Sequence, residues 1–253
     1  MPFDSLFRAR KPRLAAGDLV EVEGRPVRLK VHARARRVSL RLDPARREVV
    51  ATAPSVRGLA DAVAFARTRA SWIAARLDDL PEPIAFAAGA VLQVGGRPCR
   101  LERAAMRIPP RLIGERDGEP ARLLAHGEGP GYARAVRRAL QAEALRVLTE
   151  RTAAHARALG QPIPSVAVMD ARARWGSCTP AHRGEAARVR YVWRLILAPP
   201  FVLDYVAAHE CAHLAEANHG PRFWAVVERL YGDPAPARRW LKANGARLHA
   251  TGG

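Results

Sequence analysis

The chain has 253 residues, of which 49% are hydrophobic and 26% charged, proportions typical of a globular protein. This composition excludes disorder over most of the chain, a collagen-like repeat and a disulfide scaffold. Lys and Arg number 42 against 24 Asp and Glu, which gives a net charge of +18 and favours contact with polyanions such as nucleic acid. Only three of these cations are lysine, so an arginine-rich but ordinary solvated surface is the alternative explanation.

The sequence carries no sign of export or membrane insertion. No stretch approaches the ~20 uninterrupted apolar residues of a membrane-spanning helix, and the first residues lack the apolar core of a secretory signal. The three cysteines (Cys99, Cys178 and Cys211) are far apart and form no CxxC pair, which is typical of reduced thiols. We therefore expect a cytoplasmic protein without membrane partners.

The first half of the chain is predicted to be rich in strands. Residues 1–24 are expected to be a flexible lead-in. Over 25–53 apolar and polar side chains alternate at period two, which predicts strands and a strongly basic hairpin. A single amphipathic helix is predicted over 56–79, and short strands and loops over 84–128. We see no internal repeat.

The second half is predicted to mix long helices with two strands. Pro199-Pro200 favour the start of a helix, because proline fits the first helical turn. The other predicted elements are helices over 132–159, 220–231 and 235–244 and strands over 165–169 and 188–197.

The helix after Pro200 contains the motif His209-Glu210-Cys211-Ala212-His213, which is HExxH. Side chains four residues apart share one helix face, so both imidazoles can bind one ion, and the glutamate can accept a proton from a metal-bound water. Catalytic zinc sites usually have three protein ligands and one open position. His219 is the candidate third ligand, because Asn218 tolerates a left-handed turn and Gly220-Pro221 ends a helix.

The alternative is a helix with incidental histidines. That interpretation must place Glu210 within the apolar sequence around Val202 and Val206, where an unpaired buried carboxylate is costly. The motif therefore favours a zinc site.

Around this motif the chain resembles the YgjP-like branch of the SprT-like zinc metallopeptidases. The resemblance rests on Arg174-Trp175-Gly176-Ser177-Cys178, on 191–200, on the HExxH segment 204–213 and on 218–224. It is weaker over the basic hairpin and Ser71-Trp72-Ile73, and in all it covers most of residues 25–245.

The resemblance implies an α+β, zincin-like fold, with an N-terminal basic β-hairpin and helix packed beside a small sheet and the active-site helix. It implies one metallopeptidase domain over 25–248, comprising a β-rich part (25–130) and a catalytic part (131–248).

The same resemblance implies one Zn²⁺ held by His209, His213 and His219, with Glu210 as the catalytic acid and base. The predicted function is zinc-dependent hydrolysis of peptide bonds in a protein or peptide substrate, by a zinc-bound water that Glu210 activates.

The alternative function is that of a nucleic-acid-associated zinc-binding protein with little or no peptidase turnover. The basic hairpin could provide a face for phosphates, although no aromatic residues interleave with its cations, which argues against base stacking. These cations are Arg28, Lys30, Arg34, Arg36, Arg37 and Arg41.

Several supporting roles stay open from the sequence. The transition state could be stabilised by Tyr191, Arg194 or Tyr205, and a metal-bound histidine could be oriented by Asp204 or Glu216. The strand at 188–197 could bind an extended substrate along its edge. Cys178 could be a fourth ligand, although a packed thiol is favoured, and Cys211 is expected in the core. The other histidines are expected to be superficial or incidental; they are His32, His126, His155, His182 and His249.

Overall fold

In the computed structural model of this chain, the described residues are 14–252 except 45, 81, 83, 116, 117, 173 and 183. The chain divides into two compact units, Met1–Leu80 and Pro81–Gly253. Strands and helices are mixed in both, which confirms the α+β class. Within the described residues, no helix is both long and apolar enough to span a bilayer.

Unit 1 contains a four-stranded sheet in the order β1-β2-β4-β3. Its strands are β1 (Leu19–Val22), β2 (Arg25–Val31), β3 (Ser39–Asp43) and β4 (Glu48–Ala53). The central pair β2 and β4 is parallel, and the outer pairs are antiparallel. The predicted basic hairpin is thus part of a larger, four-stranded sheet. Strand β1 occupies part of the region 1–24 expected to be a flexible lead-in.

Helices cover one face of this sheet. A 3₁₀ turn leads into α1 (Leu59–Thr68) and α2 (Ala70–Asp78), which together replace the single helix predicted over 56–79. The backbone breaks at Arg69, whose φ and ψ are −116° and 19°. The core of the unit is fully buried and includes Val27, Leu29, Ala51, Leu59 and Ile73.

Unit 2 begins with a second four-stranded sheet in the order β5-β6-β8-β7. It comprises β5 (Val91–Val94), β6 (Arg97–Arg103), β7 (Arg111–Ile113) and β8 (Ala121–Ala125). The 30-residue helix α3 (Gly129–Ala158) follows, as predicted. The division between the two units, at Leu80, falls within the β-rich part predicted over 25–130.

The sheets of the two units are copies of each other. Each pair of neighbouring strands recurs 72 residues later in the same register; Val20↔Val27, for example, becomes Leu92↔Cys99. Only the last two residue pairs of β3 and β4 have no counterpart between β7 and β8. The other pairings follow the same shift, and six of 13 residues are identical between 19–31 and 91–103. Our expectation of no internal repeat is therefore wrong. The register is kept because any apolar residue can occupy the buried face. Sequence identity is therefore concentrated in the first hairpin, and in the later strands it is limited to Leu40 with Leu112 and Ala53 with Ala125.

The rest of unit 2 carries the metal-binding motif. A three-stranded sheet in the order β10-β11-β9 is followed by three helices. The elements are β9 (Ser165–Met169), β10 (Gly176–Thr179), β11 (Arg188–Val192), α4 (Pro200–Ala212), α5 (Pro221–Tyr231) and α6 (Ala235–Ala250).

Two details of this region differ from the prediction. The strand predicted over 188–197 ends at Val192, because Trp193–Leu197 form a 3₁₀ turn whose side chains are all buried. Moreover, β11 pairs with β10 on one side and β9 on the other, so it has no free edge for a substrate. Strand β10, which we did not predict, lies at the edge of this sheet.

Candidate metal centre

Two imidazoles project from the C-terminal end of α4. His209 lies in the last turn of this helix and His213 caps it, so their four-residue spacing places both rings on one face. The chain then leaves the helix, and His219 lies in the connection to α5. The ligand nitrogens of the three histidines all lie within 4.8 Å of one another.

These nitrogens are spaced as ligands of one ion would be. Two nitrogens bound tetrahedrally to Zn²⁺ at ~2.0–2.1 Å are expected to lie ~3.3 Å apart, and the Nε2 atoms of His209 and His219 are 3.1 Å apart. Over the described part of the chain, this group contains no fourth His, Cys, Asp or Glu ligand. The donor set therefore fits a metal ion that keeps an open coordination position.

A backbone carbonyl orients His213. Its Nδ1–H donates to the carbonyl oxygen of Glu216 at 3.1 Å, which leaves the Nε2 lone pair available for a metal. The carboxylates of Asp204 and Glu216 are the candidates that the sequence offers for such a role. Asp204 instead accepts hydrogen bonds from Arg151 and His155, both at 2.7 Å, so it links α4 to α3.

Aromatic side chains surround His209, and its buried environment favours the neutral imidazole. Its ring contacts Phe223, Tyr205 and Trp224, with centroids 4.9, 5.9 and 6.0 Å away. Burial, together with the charges of the neighbouring histidines and of Arg238, lowers the pKa of His209 to about 4. Neutral imidazole is the form that binds a metal, so this environment favours ligation at neutral pH.

Glu210 lies against the edge strand β10. A Cβ atom on Gly176 would stand 2.5 Å from Oε1 of Glu210, a separation that no side chain can adopt. The glutamate is only 6% exposed. Burial raises the pKa of its carboxyl to about 7, while Arg174 acts in the opposite direction. A carboxyl of that pKa can both take up and release a proton near neutrality.

The histidines and Glu210 share a cavity of about 630 Å³ that is open to solvent. One wall is the segment 174–178 with β10, a second is α4, and Arg238 and Leu241 of α6 complete it. Within the described residues, Glu210 is the sole carboxylate lining the cavity, whereas two arginines stand at it. The cavity therefore combines two positively charged side chains with the one buried carboxyl of Glu210.

The structure separates the three candidates for stabilising a transition state. Tyr205 lines the cavity. Tyr191 is fully buried and hydrogen-bonded to Thr152 at 2.9 Å. Arg194 is buried, pairs with Asp170 and donates to a backbone carbonyl near the C-terminus. Only Tyr205 is therefore placed to contact a substrate.

The two cysteines near the motif are not part of the histidine group. Burial raises the pKa of Cys178 to about 11 and that of Cys211 to about 12, so both thiols stay protonated at neutral pH. Cys178 lines the cavity without joining the ligand cluster. Cys211 is fully buried and donates to the carbonyl oxygen of Thr152 at 3.6 Å, as expected for a core residue.

Two other histidines differ from the surface role we expected. His155 is only 5% exposed and contacts Asp204, as above. His249 stacks on Trp175 with ring centroids 4.5 Å apart. Trp175 also lines the cavity, so the segment 174–178 both shapes the site and anchors it to α6. The remaining three are exposed: His32, His126 and His182.

Sequence reasoning missed the contribution of α6. Arg238 belongs to a run of basic residues with no motif of its own, and only the fold brings it to the cavity. The sequence also gives no sign that position 176 requires glycine, although Arg174-Trp175-Gly176-Ser177-Cys178 is one of the segments that carry the family resemblance.

The α+β fold brings three histidines together beside the buried Glu210 of α4, a set of side chains that could hold a metal ion. Residues 36–244 match the family model described as "YgjP-like, metallopeptidase domain", so the chain belongs to this family. The curated proteins and the solved structures contain no significant match.

Proposed function

We propose that this protein is a zinc-dependent peptidase in which His209, His213 and His219 hold the metal and Glu210 moves the proton. The observation that carries the proposal is the convergence of the three imidazoles in a cavity that also contains a carboxyl of raised pKa. A closed structural zinc site would require a fourth protein ligand.

The metal would contribute one kind of chemistry. Bound Zn²⁺ acts as a Lewis acid, which lowers the pKa of water and polarises a carbonyl group. Neutral imidazoles suit this ion, and the depressed pKa of His209 keeps that ligand deprotonated.

Glu210 supplies the acid–base chemistry. Its carboxylate accepts a proton from the water that attacks the substrate carbonyl, and the same carboxyl then returns that proton to the leaving amine. Gly176 allows the carboxylate to lie directly under β10. This position holds the proton acceptor in one place through both steps.

The edge strand supplies a surface for the substrate. One side of β10 pairs with β11, and residues 176–178 line the cavity. An extended peptide can add to such an edge through backbone hydrogen bonds. We therefore place the substrate along β10 rather than along β11, with its scissile carbonyl facing the three histidines.

The Glu210→Gln variant tests the role of the glutamate. It should retain about one equivalent of zinc, because the histidines are intact, but lose 10²–10⁴-fold in kcat because the proton acceptor is gone. Metal content by mass spectrometry and cleavage of a fluorogenic peptide library measure the two effects. Glu228→Gln, at an exposed position of α5, is the matched control.

Undiminished turnover in Glu210→Gln would refute the assigned role. If the wild-type protein binds zinc and cleaves no peptide in the library, the alternative of a zinc-binding protein without turnover is favoured.

A further inference from the structure

The sheet of unit 1 ends in a groove beside its edge strand. Strand β3 is paired only with β4, and the groove next to it has a volume of about 520 Å³. It is lined by the segment 37–40, which leads into β3, and by Phe65, Arg69 and Trp72. We call this feature the edge groove.

Two aromatic rings line the edge groove and face solvent. Phe65 of α1 and Trp72 of α2 are 36% and 38% exposed. Among the described Phe and Trp residues, one other side chain, that of Phe201, is as exposed. Arg69 lies at the break between α1 and α2 and lines the same groove, and its guanidinium carbon lies 5.8 Å from the centre of the Phe65 ring. A cation and two π-faces are therefore presented together.

Among the residues that the structure describes, no carboxylate neutralises the cations around the edge groove. Elsewhere in unit 1, Arg25 pairs with Asp78 and Arg28 with Glu48. By contrast, within the described residues no carboxylate forms an ion pair with any of five arginines on or near β3 and the groove. These are Arg34, Arg36, Arg37, Arg41 and Arg69.

This combination distinguishes between anionic partners. An acidic peptide would satisfy the arginines, but its carboxylates offer no aromatic faces that stack on Phe65 and Trp72. A nucleic-acid duplex offers phosphates, but its bases are already stacked inside the helix. A single strand offers both, because its phosphates pair with guanidinium groups while its unpaired bases stack on aromatic rings.

We propose that unit 1 binds single-stranded nucleic acid in the edge groove. Bases stack on Phe65 and Trp72, and phosphates pair with Arg37, Arg69 and the neighbouring arginines. The basic hairpin alone has no interleaved aromatic residues; the fold provides them from α1 and α2. This binding needs neither the histidines nor Glu210, so it is independent of the proposed peptidase activity.

The test measures binding by the full chain with fluorescence anisotropy. The probes are labelled dT20, rU20, a 20-base-pair duplex and poly-glutamate of equal charge, each at several salt concentrations. We expect the single strands to bind more tightly than the duplex and poly-glutamate, and the comparison of dT20 with rU20 distinguishes DNA from RNA. Equal or tighter binding of the duplex or poly-glutamate would overturn the proposal.

Trp72→Leu tests the stacking contact. Leucine keeps apolar volume but removes the π-face, so the affinity for dT20 should fall about tenfold, whereas Trp72→Phe keeps a ring and should retain most of it. Unchanged thermal unfolding of both variants shows that the fold is intact. Equal affinity of the wild-type protein and Trp72→Leu contradicts the assignment.

Arg37→Gln tests the phosphate contact against a matched control. The slope of log affinity against log salt should fall by about 0.7 in this variant. Arg67→Gln removes the same charge from an exposed residue of α1 that does not line the edge groove, so it should leave the slope nearly unchanged. An equal loss in both variants indicates diffuse attraction to a basic surface and overturns the groove.

The same measurements in Glu210→Gln and in the presence of a chelator separate this proposal from the peptidase. Binding to dT20 should persist in both. Cleavage by Trp72→Leu of a short peptide should equal that of the wild-type protein.

Discussion

Gly176 determines how closely strand β10 can approach the carboxyl of Glu210. A Cβ at this position would overlap Oε1, Cγ and Cδ of the glutamate, at 2.5, 2.6 and 2.7 Å. Either the strand or the glutamate must then move. Both outcomes disturb the wall of the cavity that we assign to the substrate.

We expect Gly176→Ala to lower kcat at least about 100-fold, because small displacements of a proton acceptor are costly in rate. Unfolding should also become easier by ~1–3 kcal/mol, as in other overpacked cores. Peptide cleavage and denaturant titration measure the two effects. Gly114→Ala is the control, since a Cβ there meets nothing within 4 Å; wild-type turnover in Gly176→Ala would show that the close contact is unimportant.

Arg238 is the cation of the cavity that sequence reasoning missed. Its guanidinium carbon lies 5.1 Å from the centre of the Trp224 ring. Burial lowers the pKa of His209 and raises that of Tyr205; the charge of Arg238 adds to the first effect and opposes the second. A cation at this place is suited to stabilise negative charge that develops on a substrate oxygen.

Replacing Arg238 with alanine should therefore lower kcat about 10- to 100-fold while zinc content stays at one equivalent. The neighbouring Arg239→Ala removes the same charge from an exposed residue that does not line the cavity and should have little effect. Parallel loss in both variants would point to the general charge of α6 instead.

The parts of the site that the sequence predicts are those joined by short stretches of chain. His209, Glu210 and His213 lie within one helical turn and a half, so helix geometry alone brings them together. Gly176 and Arg238 lie more than 20 residues from the motif on either side. Their positions depend on how β10 and α6 pack on α4, which no local pattern encodes.

Helices and strands show the same division between local and tertiary information. Helix α4 begins at Pro200 and α3 near residue 130, as proline placement and apolar spacing predict. In contrast, the alternating pattern predicted one strand over 188–197, but the strand ends at Val192 and the pattern continues into a 3₁₀ turn. All side chains of Trp193–Leu197 are buried, so the alternation there does not separate a buried face from an exposed one. Full burial removes the polar–apolar contrast on which period-two patterns rely.

Helices α3 and α4 are joined by hydrogen bonds from Arg151 and His155 to the carboxylate of Asp204. The contribution of these bonds to stability depends on pH. Burial alone would raise the pKa of the Asp204 carboxyl, but hydrogen bonds from His155 and Arg151 outweigh it, so the pKa lies below its usual 3.8. A lowered folded-state pKa stabilises the protein above the unfolded value of 3.8. That contribution is lost as the pH falls through the folded-state pKa.

Asp204→Asn should therefore reduce the free energy of unfolding by about 2 kcal/mol at pH 7. The difference from the wild-type protein should shrink once the pH falls below about 4. Thermal unfolding between pH 7 and pH 3 tests both statements. Asp79→Asn breaks an exposed pair with Arg76 and should change stability little; a pH-independent effect of Asp204→Asn would show that charge is not its cause.

The two proposed activities fall on different units of the chain. The histidine group and its cavity involve only residues of Pro81–Gly253, and the edge groove only residues of Met1–Leu80. Each unit also has its own interior, since the large hydrophobic cluster around α3 and α4 contains no described residue before Ile84. The family match, over 36–244, nevertheless includes both.

This separation predicts the behaviour of a fragment comprising residues 81–253. Because its core and its metal ligands are complete, the fragment should fold, bind one equivalent of zinc and cleave short peptides at a rate near that of the full chain. It should lose most of its affinity for dT20, since the edge groove is absent. Circular dichroism, metal analysis, peptide cleavage and anisotropy measure these properties. Retention of tight dT20 binding would place the nucleic-acid surface on unit 2, whereas a folded, zinc-loaded fragment without turnover would mean that unit 1 takes part in catalysis.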